Sequence, residues 1–238
     1  MVQSEILNRV FRLVYGDPYK QAFRSGTAFT MECNGSQFLV TAKHIFEDLE
    51  FPKEGTIGLL TEGGKYTPYE VDIRYPADSE VDIAVMKPKH HQHIFEEYSN
   101  RNTSEGLIFG QDVFFLGFPY EYDKLLGSFP DRKRPVPFIK KACFSGGLKD
   151  GHACIVFDGH NNPGFSGGPV CYRSTDAPNG TMSIAAVISG YYPEKQDVLD
   201  ENGRPTGSYV MSNTGIIFAY DIKEAVQVAE HWDDSATT

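Results

Sequence analysis

The segment Asn162-Pro163-Gly164-Phe165-Ser166-Gly167-Gly168-Pro169 sets a serine between glycines on both sides. A serine hydroxyl is a weak nucleophile at its free pKa and needs a neighbouring base. Gly164 permits a tight turn that would aim the N–H groups of Gly164 and Ser166 at one point, where the oxyanion of a tetrahedral intermediate could sit. Gly167 and Gly168 leave room for a substrate carbonyl to approach. A plain turn uses one or two such glycines, not the whole run. Two other motifs supply partners. Val40-Thr41-Ala42-Lys43-His44 places a histidine just past the apolar strand Phe38-Leu39-Val40, and Val81-Asp82-Ile83-Ala84-Val85 opens an apolar strand on an aspartate. Each alone is commonplace. A lone histidine there is ordinarily structural, and Asp72 in Val71-Asp72-Ile73 is a second aspartate of the same kind. Together His44, Asp82 and Ser166 offer a base, an orienting carboxylate and a nucleophile, the set that acyl transfer through a covalent intermediate requires.

Something must bring these three distant residues together. Short segments rich in β-branched and aromatic residues recur between Gly, Pro, Asn and Asp, from Val10–Tyr15 through Gln37–Thr41, Asp112–Gly117 and Met182–Ser189 to Gly215–Ala219. About a dozen such strands indicate an all-β sandwich or barrel. Cys33-Asn34-Gly35-Ser36 reads as a two-residue hairpin turn. A short helical turn is expected near Ala42–His44. Asp221–His231, with Ile222, Ala225, Val226 and Ala229 at helical spacing, is expected to close the chain as an amphipathic helix. Phe118–Phe138 and Tyr191–Ser208 read as long loops, and the acidic stretch Glu194–Glu201 as a loop over the cleft.

The chain has 238 residues, enough to bury a sizeable core. Lys plus Arg number 22 against 32 Asp plus Glu, a formal charge of -10. That excess argues against nucleic acid or an anionic membrane as the main partner. No run reaches the length of a membrane span, and Met1–Val14 carries Glu5, Arg9 and Arg12, unlike a signal peptide. The sequence therefore reads as cytoplasmic unless a leader was removed. Cys33, Cys143, Cys154 and Cys171 form no C-x-x-C pattern. Their even number permits two bridges, but a domain of this size does not need them, and they read as reduced thiols.

The order His44, Asp82, Ser166 is the order of chymotrypsin-type proteases. The sequence resembles trypsin-like serine peptidases, and most of all the bacterial HtrA/Deg-type catalytic domain. T-A-K-H resembles that family's T-A-x-H, D-I-A-V its D-I-A-[LV], and N-P-G-F-S-G-G-P its N-P-G-N-S-G-G-P. Phe115–Pro119 and Gly215–Ala219 resemble two further strand ends, so the likeness spans about residues 10 to 225, with no PDZ-like segment following. The resemblance implies a single peptidase domain over 1–238. It would hold two six-stranded antiparallel barrels, at about 10–115 and 135–220, then a helix at about 221–231. It implies a serine endopeptidase with His44, Asp82 and Ser166 as triad, Gly164 and Ser166 as oxyanion donors, no cofactor or metal, and a protein or peptide substrate. Ser189 and Gly190 would pair with extended substrate backbone. His160, six residues before Ser166, would stand near the base of the primary specificity pocket. It would favour acidic or Gln residues there, or else face water as a loop residue; the family's own default is a small or medium apolar residue.

Departures matter. Phe165 stands where digestive members keep an aspartate that salt-bridges a newly cut N-terminus, and no I-V-G-G-type start is present. Activation by N-terminal cleavage is not expected. Ile45 follows His44 where secreted members carry a cysteine, which fits a reducing compartment. A regulatory protein partner would leave no mark in this chain.

Two rival readings stand beside this one. Gly164–Gly168 also fits the G-x-S-x-G elbow of α/β-hydrolases, with Asp221 and His231 as later partners, but that fold needs a strand running into a helix and parallel βαβ units. A catalytically silent interaction module on the trypsin-like fold is the other. Lys89-His90-His91-Gln92-His93 offers too few ligands for a zinc site and reads as a solvated loop. Ser145 in Phe144-Ser145-Gly146-Gly147 echoes the Ser166 motif but has Cys143 where the oxyanion glycine would be needed.

Overall fold

The computed structural model describes residues 2–17, 22–49, 51–61, 64–90, 101–120, 135–147, 153–174 and 181–233. After a short helix α1 (Ser4–Leu7) come β1 (Val10–Asp17), β2 (Ala22–Cys33), β3 (Ser36–Thr41), β4 (Glu54–Leu60), β5 (Tyr66–Arg74) and β6 (Ala84–Pro88). These close into an antiparallel barrel in the order β1-β2-β3-β6-β5-β4. β2 and β3 meet at the expected hairpin, where Asn34 and Gly35 take φ of 49° and 74°. That pair of left-handed residues matches the right-handed twist of the strands.

The second half holds β7 (Arg101–Asn102), β8 (Asp112–Gly117), β9 (Phe138–Gly147), β10 (Cys154–Asp158), β11 (Pro169–Arg173), β12 (Met182–Leu199) and β13 (Pro205–Asp221). The order β11-β8-β9-β10-β13-β12 returns to β11, which closes a second antiparallel barrel, and β7 lies parallel to β12 outside it. The expected all-β double barrel is therefore the fold. β8 already belongs to the second barrel, so the division of the chain falls before Asp112 and not near 115 to 135.

Burial on both faces explains the continuous apolar strands. In β3, Leu39 points into the first barrel while Phe38 and Val40 pack outside it. In β8, Val113 and Phe115 fill the second barrel while Leu116 faces the seam. A cluster of Phe29, Val40, Val85, Leu116, Val187 and Ile222 therefore joins the barrels. Strands buried on both sides lose the apolar/polar alternation of a half-exposed sheet.

The segment Tyr191–Ser208 is not a loop. β12 and β13 continue past the barrel as a paired ribbon, with Glu194 against Ser212 and Asp197 against Tyr209, turning only between Leu199 and Pro205. The acidic stretch Glu194–Glu201 is thus largely strand, because cross-strand pairing overrides the weak strand propensity of its polar residues. Phe118–Phe138 lies mostly outside the described residues.

The C-terminal helix α2 (Ile222–Glu230) forms as expected, capped by Asp221, whose carboxylate accepts the Lys223 N–H at 2.9 Å. It leaves the second barrel and packs against β2 and β6 of the first as well as β12 and β13. Trp232, the sole tryptophan, is buried beyond the helix. Its ring meets Phe38 at 5.2 Å and the Arg74 guanidinium at 4.4 Å. Trp232→Ala is expected to lower stability by about 3 kcal/mol, checked by urea unfolding followed by circular dichroism.

Candidate active site

His44 sits in the 3₁₀ turn Lys43–Leu49 that follows β3. Ile45 and Phe46 are buried in the first barrel and pin that turn, which leaves His44 at the rim. Asp82 reaches it by register. Thr41 of β3 pairs with Ala84 of β6, so the residues just past each strand end face one another. Val81 and Ile83 are buried on either side of Asp82 and fix its direction. The His44 backbone N–H donates to Asp82 Oδ1 at 2.8 Å, and ring Nδ1 lies 2.7 Å from Oδ2. A two-point contact of this kind sets both the position and the tilt of the imidazole.

The electrostatics follow from these contacts. Burial alone would lower the His44 pKa; the hydrogen bond and charge of Asp82, helped by Glu47, outweigh it and hold the imidazole above its ordinary 6.5. Burial would raise Asp82, but the His44 ring, the Ser189 hydroxyl and the His44 N–H hold it below the usual carboxylate range. An ionised carboxylate can only accept, so Nδ1 carries the proton and Nε2 of neutral His44 keeps its lone pair.

Ser189, at the barrel end of β12, touches both remaining members. Its hydroxyl donates to Asp82 Oδ2 at 2.5 Å, and its carbonyl accepts the Ser166 hydroxyl at 3.1 Å. Asp82 and His44 belong to the first barrel, Ser189 and Ser166 to the second, so this chain of bonds crosses the seam. Among the described residues His44 and Ser166 share no hydrogen bond, and the serine is turned to Ser189 instead.

The loop before Ser166 is held from several sides. Gly164 and Gly167 take φ of 102° and 83°. A side chain at Gly164 would strike the Phe118 carbonyl, and one at Gly167 the Thr27 carbonyl, so neither site admits a Cβ. The Pro163 carbonyl accepts the Tyr120 N–H at 3.2 Å. Across a trans peptide the Gly164 N–H must then point the opposite way. Neither the Gly164 nor the Ser166 N–H has an acceptor among the described residues. Two free backbone donors two residues apart are what an oxyanion site needs.

Thr27 of β2 clamps this loop to the first barrel. Its N–H donates to the Ser166 carbonyl at 2.8 Å, and its hydroxyl donates to the Gly164 carbonyl at 2.7 Å while accepting the Phe118 N–H at 3.1 Å. Its own carbonyl accepts the Thr41 hydroxyl at 2.7 Å. Phe165 is fully buried against Phe115, ring centroids 4.9 Å apart. Lys140 Nζ lies 5.7 Å from the Phe165 ring and donates to the His160 carbonyl at 2.6 Å and to Asn162 Oδ1. Burial pulls the Lys140 pKa down.

The other sequence candidates fall as follows. His160 is exposed, and its backbone, through Lys140, is what the structure engages. Gly190 follows Ser189 in β12, paired with Phe218, with open space where a Cβ would stand. Asp72 lies 3.4 Å from Lys89 on the first barrel, and the Ser145 hydroxyl donates to its neighbour's carbonyl at Cys143. Asp221 caps α2, and His231 Nδ1 bonds the Gln227 carbonyl. Among the described residues no helix joins parallel strands. That excludes the α/β-hydrolase arrangement. The four cysteines are free. Among the described residues no three His, Cys, Asp or Glu side chains gather as a metal site, and His91 and His93 lie outside them. Thr27, Lys140 and the hydroxyl role of Ser189 were missed from sequence. Thr27 had one signal, being with Thr30 one of two polar residues inside the run Gly26–Met31.

No protein-family model matches the sequence, and no curated protein matches it. Solved structures do. The active form of the Rv3671c protease from M. tuberculosis is 17% identical, over 95% of this chain and 82% of that one, with a TM-score of 0.58. Its inactive form is 16% identical, over 95% and 90%, at 0.54. A serine endoprotease from Yersinia pestis is 16% identical, over 98% of this chain and 65% of that one, at 0.61. At these identities the likeness is one of fold: this chain has the double barrel of trypsin-like serine proteases.

Thr27→Val keeps the shape but strips the buried Gly164 carbonyl and Phe118 N–H of their partner. Stability is expected to fall by about 1–3 kcal/mol, read as a lower urea midpoint at unchanged m-value.

Proposed function

We propose that this chain is a serine endopeptidase acting on extended protein or peptide substrates. The observation that carries the reading is the unbroken hydrogen-bond path His44–Asp82–Ser189–Ser166, which joins residues far apart in sequence across the barrel seam. In this reading the Ser166 hydroxyl must leave the Ser189 carbonyl and turn toward His44 Nε2, a change of rotamer about χ1. Such contacts often tighten only once substrate is bound.

In the proposed cycle Ser166 Oγ attacks the scissile carbonyl carbon and its proton passes to His44 Nε2. The carbonyl electron pair moves onto oxygen, which is held by the Gly164 and Ser166 N–H groups. The carbon–nitrogen bond then breaks, and the imidazolium gives its proton to the leaving amine. Water, deprotonated by His44, attacks the acyl-enzyme and frees Ser166 as the proton returns. Asp82 stays ionised throughout and stabilises the imidazolium. The cycle uses these side chains, two amides and water. The four unbridged cysteines suit a reducing compartment, and we assign the activity to the cytoplasm.

A second reading, a silent interaction module on the same fold, draws on one observation: the resting Ser166 hydroxyl is bonded to Ser189 and not to His44. A fluorophosphonate probe separates the two, since it needs an activated hydroxyl.

Probe labelling and peptide turnover are expected in the wild-type chain and absent in Ser166→Ala, with the unfolding free energy of that variant within about 1 kcal/mol of wild type. Cleavage retained by the variant would refute the assignment. The base must be neutral to act, and its pKa is raised. So kcat/KM is expected to fall with acid through a midpoint above 6.5. Glu47→Gln removes one of the raising charges and should move that limb to lower pH, less so at high salt.

A further inference from the structure

β9 turns one charge into the second barrel. Its residues Phe138, Lys140 and Ala142 pair with Gly117, Phe115 and Val113 of β8. Paired residues share a face of the sheet, and Val113, Phe115 and Ala142 belong to the core of this barrel. Lys140 therefore holds an inward position, at the end where the nucleophile loop crosses. Its neighbour Lys141 faces outward and pairs with Asp112 at 2.7 Å. Among the described residues no carboxylate pairs with the Lys140 ammonium. It is met instead by two amide oxygens of the loop, the His160 carbonyl at 2.6 Å and Asn162 Oδ1. Taking a charge out of water with no opposite charge beside it is costly. An apolar side chain of the same length would fill this position at lower cost.

An ammonium can only donate. It fixes which way the Asn162 amide points, with Oδ1 to the cation and Nδ2 away from it. Nδ2 donates to the Tyr120 hydroxyl at 3.3 Å. The Tyr120 N–H in turn donates to the Pro163 carbonyl at 3.2 Å, the one bond that carbonyl makes among the described residues. The other end of the same peptide is the Gly164 N–H, which points the opposite way. Turned over, this peptide would present an oxygen where a developing oxyanion needs a donor. Tyr120 itself is more than half exposed and has φ of 49°. A residue other than glycine keeps that left-handed conformation only where its surroundings hold it.

We propose that Lys140 is a positioning residue for the oxyanion donors: its charge, relayed through Asn162 and Tyr120, keeps the Gly164 N–H turned toward the substrate oxygen. The inference rests on the hydrolytic reading above. Among the described residues Lys140 bonds none of His44, Asp82 and Ser166. Its effect therefore falls on the step in which negative charge forms on oxygen, and not on ground-state binding of the peptide.

The test is Lys140→Met, which keeps the stem and removes the charge, assayed on acetyl-Ala-Ala-Pro-Val coumarin amide. Its kcat is expected to fall about a hundredfold with KM within about twofold of wild type. Inhibition by the matching peptide aldehyde, whose tetrahedral adduct on Ser166 carries the oxygen in question, should weaken by a similar factor. Anisotropy of the fluorescein-labelled peptide, read in the Ser166→Ala background, should not change with Lys140→Met. Lys140→Cys treated with 2-bromoethylamine restores an ammonium of nearly the same reach and should regain most of the lost kcat, with wild type treated alike as control. Tyr120→Phe should lower kcat about fivefold in the wild type and not at all in Lys140→Met, since the two act in series. That exposed substitution carries the test if Lys140→Met fails to fold. An unchanged kcat, kcat and ground-state affinity that fall together, or losses at Lys140 and Tyr120 that simply add, each overturn the proposal while the hydrolytic reading stands. A wild type that neither turns over peptide nor takes the fluorophosphonate probe overturns that reading, and this inference with it.

Discussion

The Ser189 hydroxyl bonded to Asp82 is the contact on which the site depends. It joins a carboxylate of one barrel to a strand of the other. Neither barrel alone holds Ser166, His44 and Asp82 together. Geometry at the site is therefore a property of the seam, and the seam is held by the apolar cluster of Leu116, Val187 and Ile222 beneath it and by Thr27 beside it. In the proposed cycle Ser189, which donates to Asp82 and accepts from Ser166, would keep the orienting carboxylate and the nucleophile in step.

The loop around Ser166 is ordered from within the chain. Phe165, the residue before Ser166, is buried in the second barrel. A cation is nonetheless present. The Lys140 ammonium sits by the Phe165 ring and is bonded to the His160 carbonyl and to Asn162 Oδ1. It comes from β9, a paired strand, so the loop is braced by a side chain of the same barrel. Removing a half-buried cation from water is costly. Burial lowers the Lys140 pKa accordingly.

The parts that were legible in sequence are local ones. Asn34-Gly35 announces its hairpin because few other residues adopt positive φ at both turn positions. Asp221 announces its helix because a carboxylate caps free N–H groups. The glycines around Ser166 announce a loop pressed against other backbone. What stayed hidden needs the partner strand. Thr27 reads as one polar residue in a strand until the 164–166 carbonyls arrive beside it. Lys140 reads as surface until β8 sets it near Phe165. The ribbon carries few strand formers in its β12 half, and pairing with β13 supplies the rest.

The course of α2 has one more implication. It springs from the second barrel, crosses the junction and ends with Trp232 wedged between Phe38 and Arg74 of the first. The two halves are buckled together on the face where this clasp lies, and splitting them would expose the indole and the apolar stripe of the helix at once. Such a fastening couples the seam on that face to the burial of one aromatic side chain, so a change at Trp232 is felt by both barrels at once.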